Sequence, residues 1–240
     1  MRRATAVSFI AILTVTVATM AAPTVAQAQD KKVNVNLGGG YTVALSDVRD
    51  YLGDGYNINF GVTFNVNENI GIQAEYSFNG LGEKLVDLDL AGVNPPPGQE
   101  LVRNVYANMN MQYGTFNLVF KPSTEGRAKP YVVTGLGVYY RPIKVTTPGA
   151  GYVPPYCSPW WYYCYPGGFV PVDYILAEQS STDFGMNFGA GVDIAMTDAA
   201  SFYLEARYHY ILGPELKDQA GKSYGKATGQ FLPITFGFRF

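Results

Sequence analysis

The chain has 240 residues, with 17 Lys and Arg against 19 Asp and Glu and a formal net charge of −2, so composition offers no basic surface for nucleic acid. Charged residues are only 15% of the chain, while Tyr (19), Phe (14) and Gly (27) are abundant. Beyond the amino-terminal segment there is no apolar run of the roughly 18 residues that a membrane-spanning helix needs.

Met1–Ala28 predicts a secretory signal peptide. Arg2 and Arg3 make a basic start, Ala6 to Ala22 is apolar, and Ala26-Gln27-Ala28 is a small-x-small cleavage pattern. An uncleaved anchor fits less well, because the run is rich in Ala and Thr and leads into that pattern. No Cys follows the run, which argues against a lipoprotein. Residues 29–240 are then expected to form one domain.

Strict alternation of apolar and polar positions predicts strands through most of that domain. The first covers about Lys32–Leu45, the second Gly55–Val66 and the third Ile70–Asn79, with a tight turn at Asn67-Glu68-Asn69. Gly80–Leu101 reads as a connection, because Pro95-Pro96-Pro97-Gly98 cannot be a central strand. The fourth strand is Val102–Lys121. Its apolar row is Val105, Ala107, Met109 and Met111 before Tyr113-Gly114, but Phe116, Leu118 and Phe120 after it. A bulge near Gly114 would explain this change of phase; a misplaced strand boundary is the other possibility. The fifth strand is Pro130–Arg141. Pro142–Thr182 reads as a long connection, followed by strands at Asp183–Met196, Ser201–Leu212 and Gly229–Phe240. In the last, Leu232, Ile234, Phe236, Phe238 and Phe240 alternate with Pro233, Thr235, Gly237 and Arg239. Pro233 removes a ladder donor, so a local bulge is expected there.

Eight strands with alternating short and long connections fit an up-and-down antiparallel sheet. Alternation alone also fits a soluble sandwich or a lipocalin-like barrel. The polar rows decide the matter. They carry Asn, Gly, Thr, Gln and Ser rather than the Lys and Glu of a water-facing surface. Such side chains suit the narrow interior of an eight-stranded barrel whose apolar rows face lipid. The fold class is therefore all-β, an eight-stranded transmembrane β-barrel.

The signal segment, the eight alternating strands and the terminal Phe236-Gly237-Phe238-Arg239-Phe240 resemble the outer-membrane β-barrel family of OmpA/OmpX type. The resemblance implies a bacterial outer-membrane location, a lipid and lipopolysaccharide surround, and a monomer. It implies that the row Leu232, Ile234, Phe236, Phe238 and Phe240 is read by the barrel-assembly machinery. It also implies a periplasmic amino end, short turns on that side and long connections facing outward; the peptidoglycan-binding domain of the OmpA type is not expected, since nothing follows Phe240.

Candidate chemistry is sparse. Glu75, Asp193, Glu205, Arg207 and Arg239 share the polar rows and are expected to pair inside the barrel, either as a register-fixing ion-pair core or as a gate. In an exported chain, Cys157 and Cys164 predict a disulfide closing a small loop. Around them Tyr156, Trp160, Trp161, Tyr162, Tyr163 and Tyr165 form the main candidate for binding a protein, a glycan or the lipopolysaccharide rim. The alternative is that these rings only anchor the loop at the membrane interface. His209, the single histidine, lacks the His-x-Ser pattern of lipid A deacylases and reads as an interior hydrogen-bonding residue. Asp47, Asp50 and Asp54 have no recognised cation-ligand spacing and surround Arg49. The Gly-rich pieces complete neither a dinucleotide nor a phosphate loop, so no cofactor or metal is expected. The sequence thus favours a non-enzymatic surface barrel. A small channel and a lipid A-modifying enzyme are the alternatives.

Overall fold

A computed structural model describes residues 32–87, 104–124, 126–158, 163–217 and 223–240. The signal segment, Pro95–Pro97 and the stretch 159–162 therefore lie outside the described residues.

The barrel strands are β1 (Val33–Ala44), β2 (Gly55–Asn65), β3 (Ile70–Asp87), β4 (Asn104–Phe120), β5 (Ala128–Val153), β8 (Gly168–Ala195), β9 (Ser201–Ile211) and β12 (Gly229–Arg239). Two small hairpins, β6 (Tyr156–Ser158) with β7 (Tyr163–Tyr165) and β10 (Glu215–Lys217) with β11 (Ser223–Lys226), and one short helix, α1 (Asp47–Tyr51), sit in the connections. Each barrel strand pairs antiparallel with its neighbours in the chain. The ring closes where β1 meets β12, from Asn36 opposite Arg239 to Ala44 opposite Phe231. Closure removes every free sheet edge from the wall, as a spanning sheet requires.

Side chains sort by the pleat. Leu37, Ile58, Phe60, Ile72, Leu136, Phe188, Leu204 and Phe236 point outward and are exposed. Asn36, Asn57, Asn59, Thr63, Gln73, Ser77, Thr115, Asn117 and Asn187 point inward and are buried. Exposed Tyr41, Tyr56, Tyr76 and Tyr140 mark the lipid-facing surface toward the long connections, and Phe64, Phe120, Phe238 and Phe240 mark it near the short turns. These two aromatic belts match the interfacial girdles of membrane barrels. Inward tyrosines fit because glycines face them. A Cβ on Gly191 would lie 2.5 Å from the Tyr131 ring, and one on Gly38 would collide with the Tyr203 hydroxyl.

The structure corrects both expected bulges. Tyr76 faces Gly114 in a ladder with β3 that is continuous from Phe120 to Met109, so β4 passes Gly114 without a shift. The backbone keeps its phase while the chemistry of its faces changes. Past Gly114 the inward row becomes Tyr113, Met111, Met109 and Ala107, and the outward row becomes Gln112, Asn110 and Asn108. The register shift falls instead in β3, between Leu81 and Lys84. There Gly53 donates to the Gly82 carbonyl at 3.1 Å, and Gly82 donates to that of Asp54 at 3.1 Å, so the bulge receives the loop that follows α1. At Pro233 the register is also unbroken. Thr42 faces Pro233 on one side, while on the β9 side Phe231 opposite His209 and Ile234 opposite Ala206 keep equal spacing. The missing N–H interrupts the pairing locally without displacing the strand.

The segment 142–182 is also not simply a connection. β5 and β8 remain paired from Ala128 opposite Ile194 to Val153 opposite Gly168, with one extra residue at Leu176. β4 accompanies β5 only as far as Thr146, and β9 joins β8 only from Gly185. From Thr147 opposite Tyr174 onward, the pair is a two-stranded ribbon seven residue pairs long, ending in the β6–β7 hairpin.

Candidate functional site

The interior is built in tiers along the barrel axis, and β9 shows the sequence of them. Its inward row runs Tyr203, Glu205, Arg207, His209 and Ile211, from the short-turn end upward. In the middle tier Arg207 is held by Glu75 at 2.9 Å and Glu205 at 2.5 Å, all three buried. The Tyr131 hydroxyl donates to Glu205 at 2.9 Å, and Ser77 donates to Glu75 at 3.3 Å. Two carboxylates around one guanidinium satisfy a buried cation that would otherwise be costly.

Amides and hydroxyls link the strands around this cluster. Asn187 donates to Asn117 at 2.9 Å, Asn117 to Gln73 at 3.2 Å, and Gln73 to Asn36 at 3.4 Å. A second chain runs from Thr235 to Asn57 at 2.9 Å, from Asn57 to Thr42 at 3.3 Å, and from Thr42 to Asn79 at 2.5 Å. These hydrogen bonds occupy the centre of the lumen with side chains from several different strands.

Toward the short turns, Arg239 pairs with Asp193, and its guanidinium lies 5.0 Å from the Tyr131 ring centre and 5.2 Å from that of Tyr203. The five charged residues singled out in the sequence therefore form two groups: Glu75, Glu205 and Arg207 in one, Asp193 and Arg239 in the other.

Toward the long connections the lumen is apolar. Leu52, Leu81, Ala107, Met109, Met111, Tyr113, Tyr139, Ile211 and Phe231 form one buried cluster, with Val48 and Ile143 packed against it. Leu52 enters it directly after α1. His209 belongs to this layer: its Nδ1 is 2.9 Å from the Tyr139 hydroxyl, and its ring stacks on Phe231 with centres 4.7 Å apart. Asp54 accepts hydrogen bonds from the Ala44 N–H at 2.9 Å and the Tyr41 hydroxyl at 3.0 Å, which ties the first loop to the wall. Asp47 and Asp50 lie on α1, and among the described residues no group of His, Cys, Asp or Glu is placed to hold a metal ion.

Above this layer lies a pair that the strand predictions did not single out. Arg141 binds Asp183 through Nε at 3.1 Å and Nη2 at 2.5 Å, and donates to the Ala227 carbonyl at 3.1 Å. Ser181 donates to the same carboxylate at 2.7 Å. Both Arg141 and Asp183 continue the odd-numbered inward rows of their strands, so parity alone pointed to them.

At the far end of the ribbon Cys157 and Cys164 face each other in the β6–β7 hairpin and form the expected disulfide. Its short span contributes roughly 2.5 kcal/mol of local stabilisation in the chain-entropy account. The Tyr156 and Tyr165 ring centres are 6.2 Å apart across this hairpin, and those of Tyr152 and Phe169 are 5.5 Å apart just below it. Phe169 and Tyr152 are 78% and 61% exposed, unlike any ring of the lumen. Tyr163 lies in β7, whereas Trp160, Trp161 and Tyr162 lie outside the described residues. The terminal row behaves as one surface: Ile234, Phe236, Phe238 and Phe240 are exposed and Leu232 half-buried on the outer wall.

Several solved structures are similar to this chain at low identity. Neisserial surface protein A is 14% identical with a TM-score of 0.52, covering 87% of this chain and 96% of that one. A major outer membrane protein from Thermus thermophilus is 10% identical with a TM-score of 0.48, covering 88% and 99%. The N-terminal β-barrel domain of Pseudomonas aeruginosa OprF is 12% identical with a TM-score of 0.42, covering 87% and 96%. No curated protein sequence matches. Residues 12–240 match the family model described as "Outer membrane protein beta-barrel domain", and the chain accordingly belongs to that family and resides in the bacterial outer membrane.

Proposed function

We propose that this barrel is a non-enzymatic surface-interaction protein, anchored by its wall and binding a partner through the disulfide-closed tip of the β5–β8 ribbon. The observation that carries this reading is the ribbon itself. It continues the ladder seven pairs beyond the strands that flank it and presents Tyr152, Phe169 and Tyr156 as exposed rings. Exposed aromatics on a disulfide-closed hairpin bind at low entropic cost, because they have few rotamers to lose. In this reading Met1–Ala28 is removed on export, and the short turns face the periplasm. The row Leu232, Ile234, Phe236, Phe238 and Phe240 is presented to the barrel-assembly machinery. The barrel stands as a monomer among lipopolysaccharide.

The test is whole-cell binding to panels of glycans and matrix proteins, with and without residues Tyr152–Phe169. Loss of binding with intact, heat-modifiable barrel supports the reading, and unchanged binding rejects it. Protease cleavage of the tip on intact cells checks the orientation. The filled lumen counts against a channel, for which planar-bilayer recordings should show no steady conductance. His209, enclosed by Tyr139 and Phe231, counts against lipid A chemistry, so mass spectra of lipid A should be the same with and without the gene.

A further inference from the structure

The ribbon that carries the tip has two free edges, and they are unlike. On the β5 side the open stretch runs only from Thr147 to Val153, and Pro148 removes an amide from it. On the β8 side it is longer. Among the described residues, the uppermost backbone bond on that side is the Leu212 N–H donating to the Phe184 carbonyl at 2.8 Å. From Asp183 up to Gly168, β8 is paired only with β5 among the described residues. The β10–β11 hairpin, which belongs to the neighbouring connection, forms a sheet of its own and does not join this edge. Between Val172 and Asp183 the edge contains no proline.

Two prolines on β5 show which way the β8 amides point. Pro142 faces Ser180, and Pro148 faces Asp173. Proline has no N–H, so each sits in a non-hydrogen-bonded pair, and the N–H and C=O of Ser180 and Asp173 turn away from β5. Phe184, bonded toward Leu212, is in the same phase as Ser180. Glu178, Ser180 and Thr182 below the extra residue Leu176, and Asp173 above it, therefore hold backbone donors and acceptors out from the free edge. Charge decides what fits there. Between Lys144 and Arg207 the chain has no Lys, Arg or His. Glu178 is paired with Lys144 at 3.4 Å and Asp183 with Arg141. That leaves Asp173, exposed and without an ion pair among the described residues. Asp173 shares a ribbon face with the exposed ring of Phe169, roughly 13 Å away along the strand.

We propose that the open edge of β8 takes up an extended, cation-bearing segment of a partner protein as a further strand. The inference rests on the reading that the ribbon is the binding part of the molecule, and it names the partner's chemistry. Backbone amides of the segment continue the ladder, and its Lys or Arg side chains, at alternate positions, meet the Asp173 carboxylate and the face of Phe169. Leu176 breaks the phase of the edge, so the segment pairs above and below it in two runs. An anionic partner, such as a sulfated glycan or a lipopolysaccharide phosphate, meets no unpaired cation along this edge.

The experiment uses the full barrel in maltoside micelles and three labelled peptides of about ten residues, followed by fluorescence anisotropy. One alternates Lys and Val, one Glu and Val, and one Lys and Pro, which keeps the charge but lacks every second amide. The Lys–Val peptide should bind, with each of the others weaker by about tenfold or more. Ser180→Pro removes an amide that the ladder with β5 does not use. It should weaken Lys–Val binding by about tenfold while keeping heat-modifiable migration. Asp173→Asn should weaken it by about threefold. Glu68→Gln, at a short turn, should leave it unchanged. No binding of Lys–Val, equal binding of Lys–Val and either control peptide, or an unaffected Ser180→Pro variant overturns the proposal. So does a barrel dimer in sedimentation that Ser180→Pro disperses, because the edge would then belong to a second copy. Whole-cell partners that depend on Tyr152–Phe169, with no peptide bound, would sink the edge alone and leave the tip reading standing. Peptide binding without any such partner would sink the tip reading alone.

Discussion

The wall below Gly114 and the wall above it are built from the same strand in the same phase, with opposite chemistry. Below, β4 turns Phe116, Leu118 and Phe120 outward and Thr115 and Asn117 inward. Above, it turns Asn110 outward and Met109, Met111 and Tyr113 inward. Two media account for the difference. In lipid the outside must be apolar, and the charged and amide side chains can be satisfied only by one another in the lumen. Above the lipid the outside must be wettable, and the lumen can be packed like the core of a soluble protein. What reverses along β4 is the solvent, and the backbone need not respond.

Adjacent substitutions test this reversal most strongly in the apolar layer of the lumen. Met111→Asp places a charge among Tyr113, Tyr139 and Phe231 and should cost about 3–5 kcal/mol in urea unfolding of the micellar barrel. Asn110→Asp, one residue away, should stay within about 0.5 kcal/mol. Equal effects at the two positions would break the comparison. On the outer face, Phe116→Lys should cost about 2–4 kcal/mol in vesicles, and Asn110→Lys close to nothing. A comparable penalty at residue 110 would move the lipid boundary above Gly114. In the lower lumen, Glu75→Gln leaves Arg207 with Glu205 alone and should cost about 1–3 kcal/mol. Unchanged thermal unfolding would mean that this ion cluster does not hold the register. The smallest effect belongs to the ribbon. Deleting Tyr152–Phe169 should leave the unfolding midpoint of the wall unchanged, because among the described residues no third strand pairs with that part of the ladder.

All eight strands were legible because each stands between two unlike media and must alternate. The inward placement of Glu75, Glu205, Arg207, Asp193 and Arg239 followed from the same parity. Their division into two groups did not, because it depends on which strands face each other across the lumen. The ribbon was hidden for the opposite reason. Neither of its faces is buried, so residues such as Pro148, Ala150 and Pro171 show no apolar–polar alternation although they are paired in the ladder. At Gly114, alternation misled because it reports polarity, and polarity was read there as direction.

The seven-pair ribbon also has a length. At about 3.3 Å per residue it carries the disulfide hairpin roughly 23 Å past the point where the neighbouring strands stop. Below that point Arg141, Asp183 and the Ala227 carbonyl tie the same two strands to the rim of the wall. Such clearance separates two demands that would otherwise compete for the same residues. The wall can be optimised for lipid and closure, and the tip can change its aromatic face without disturbing a single pair in the barrel.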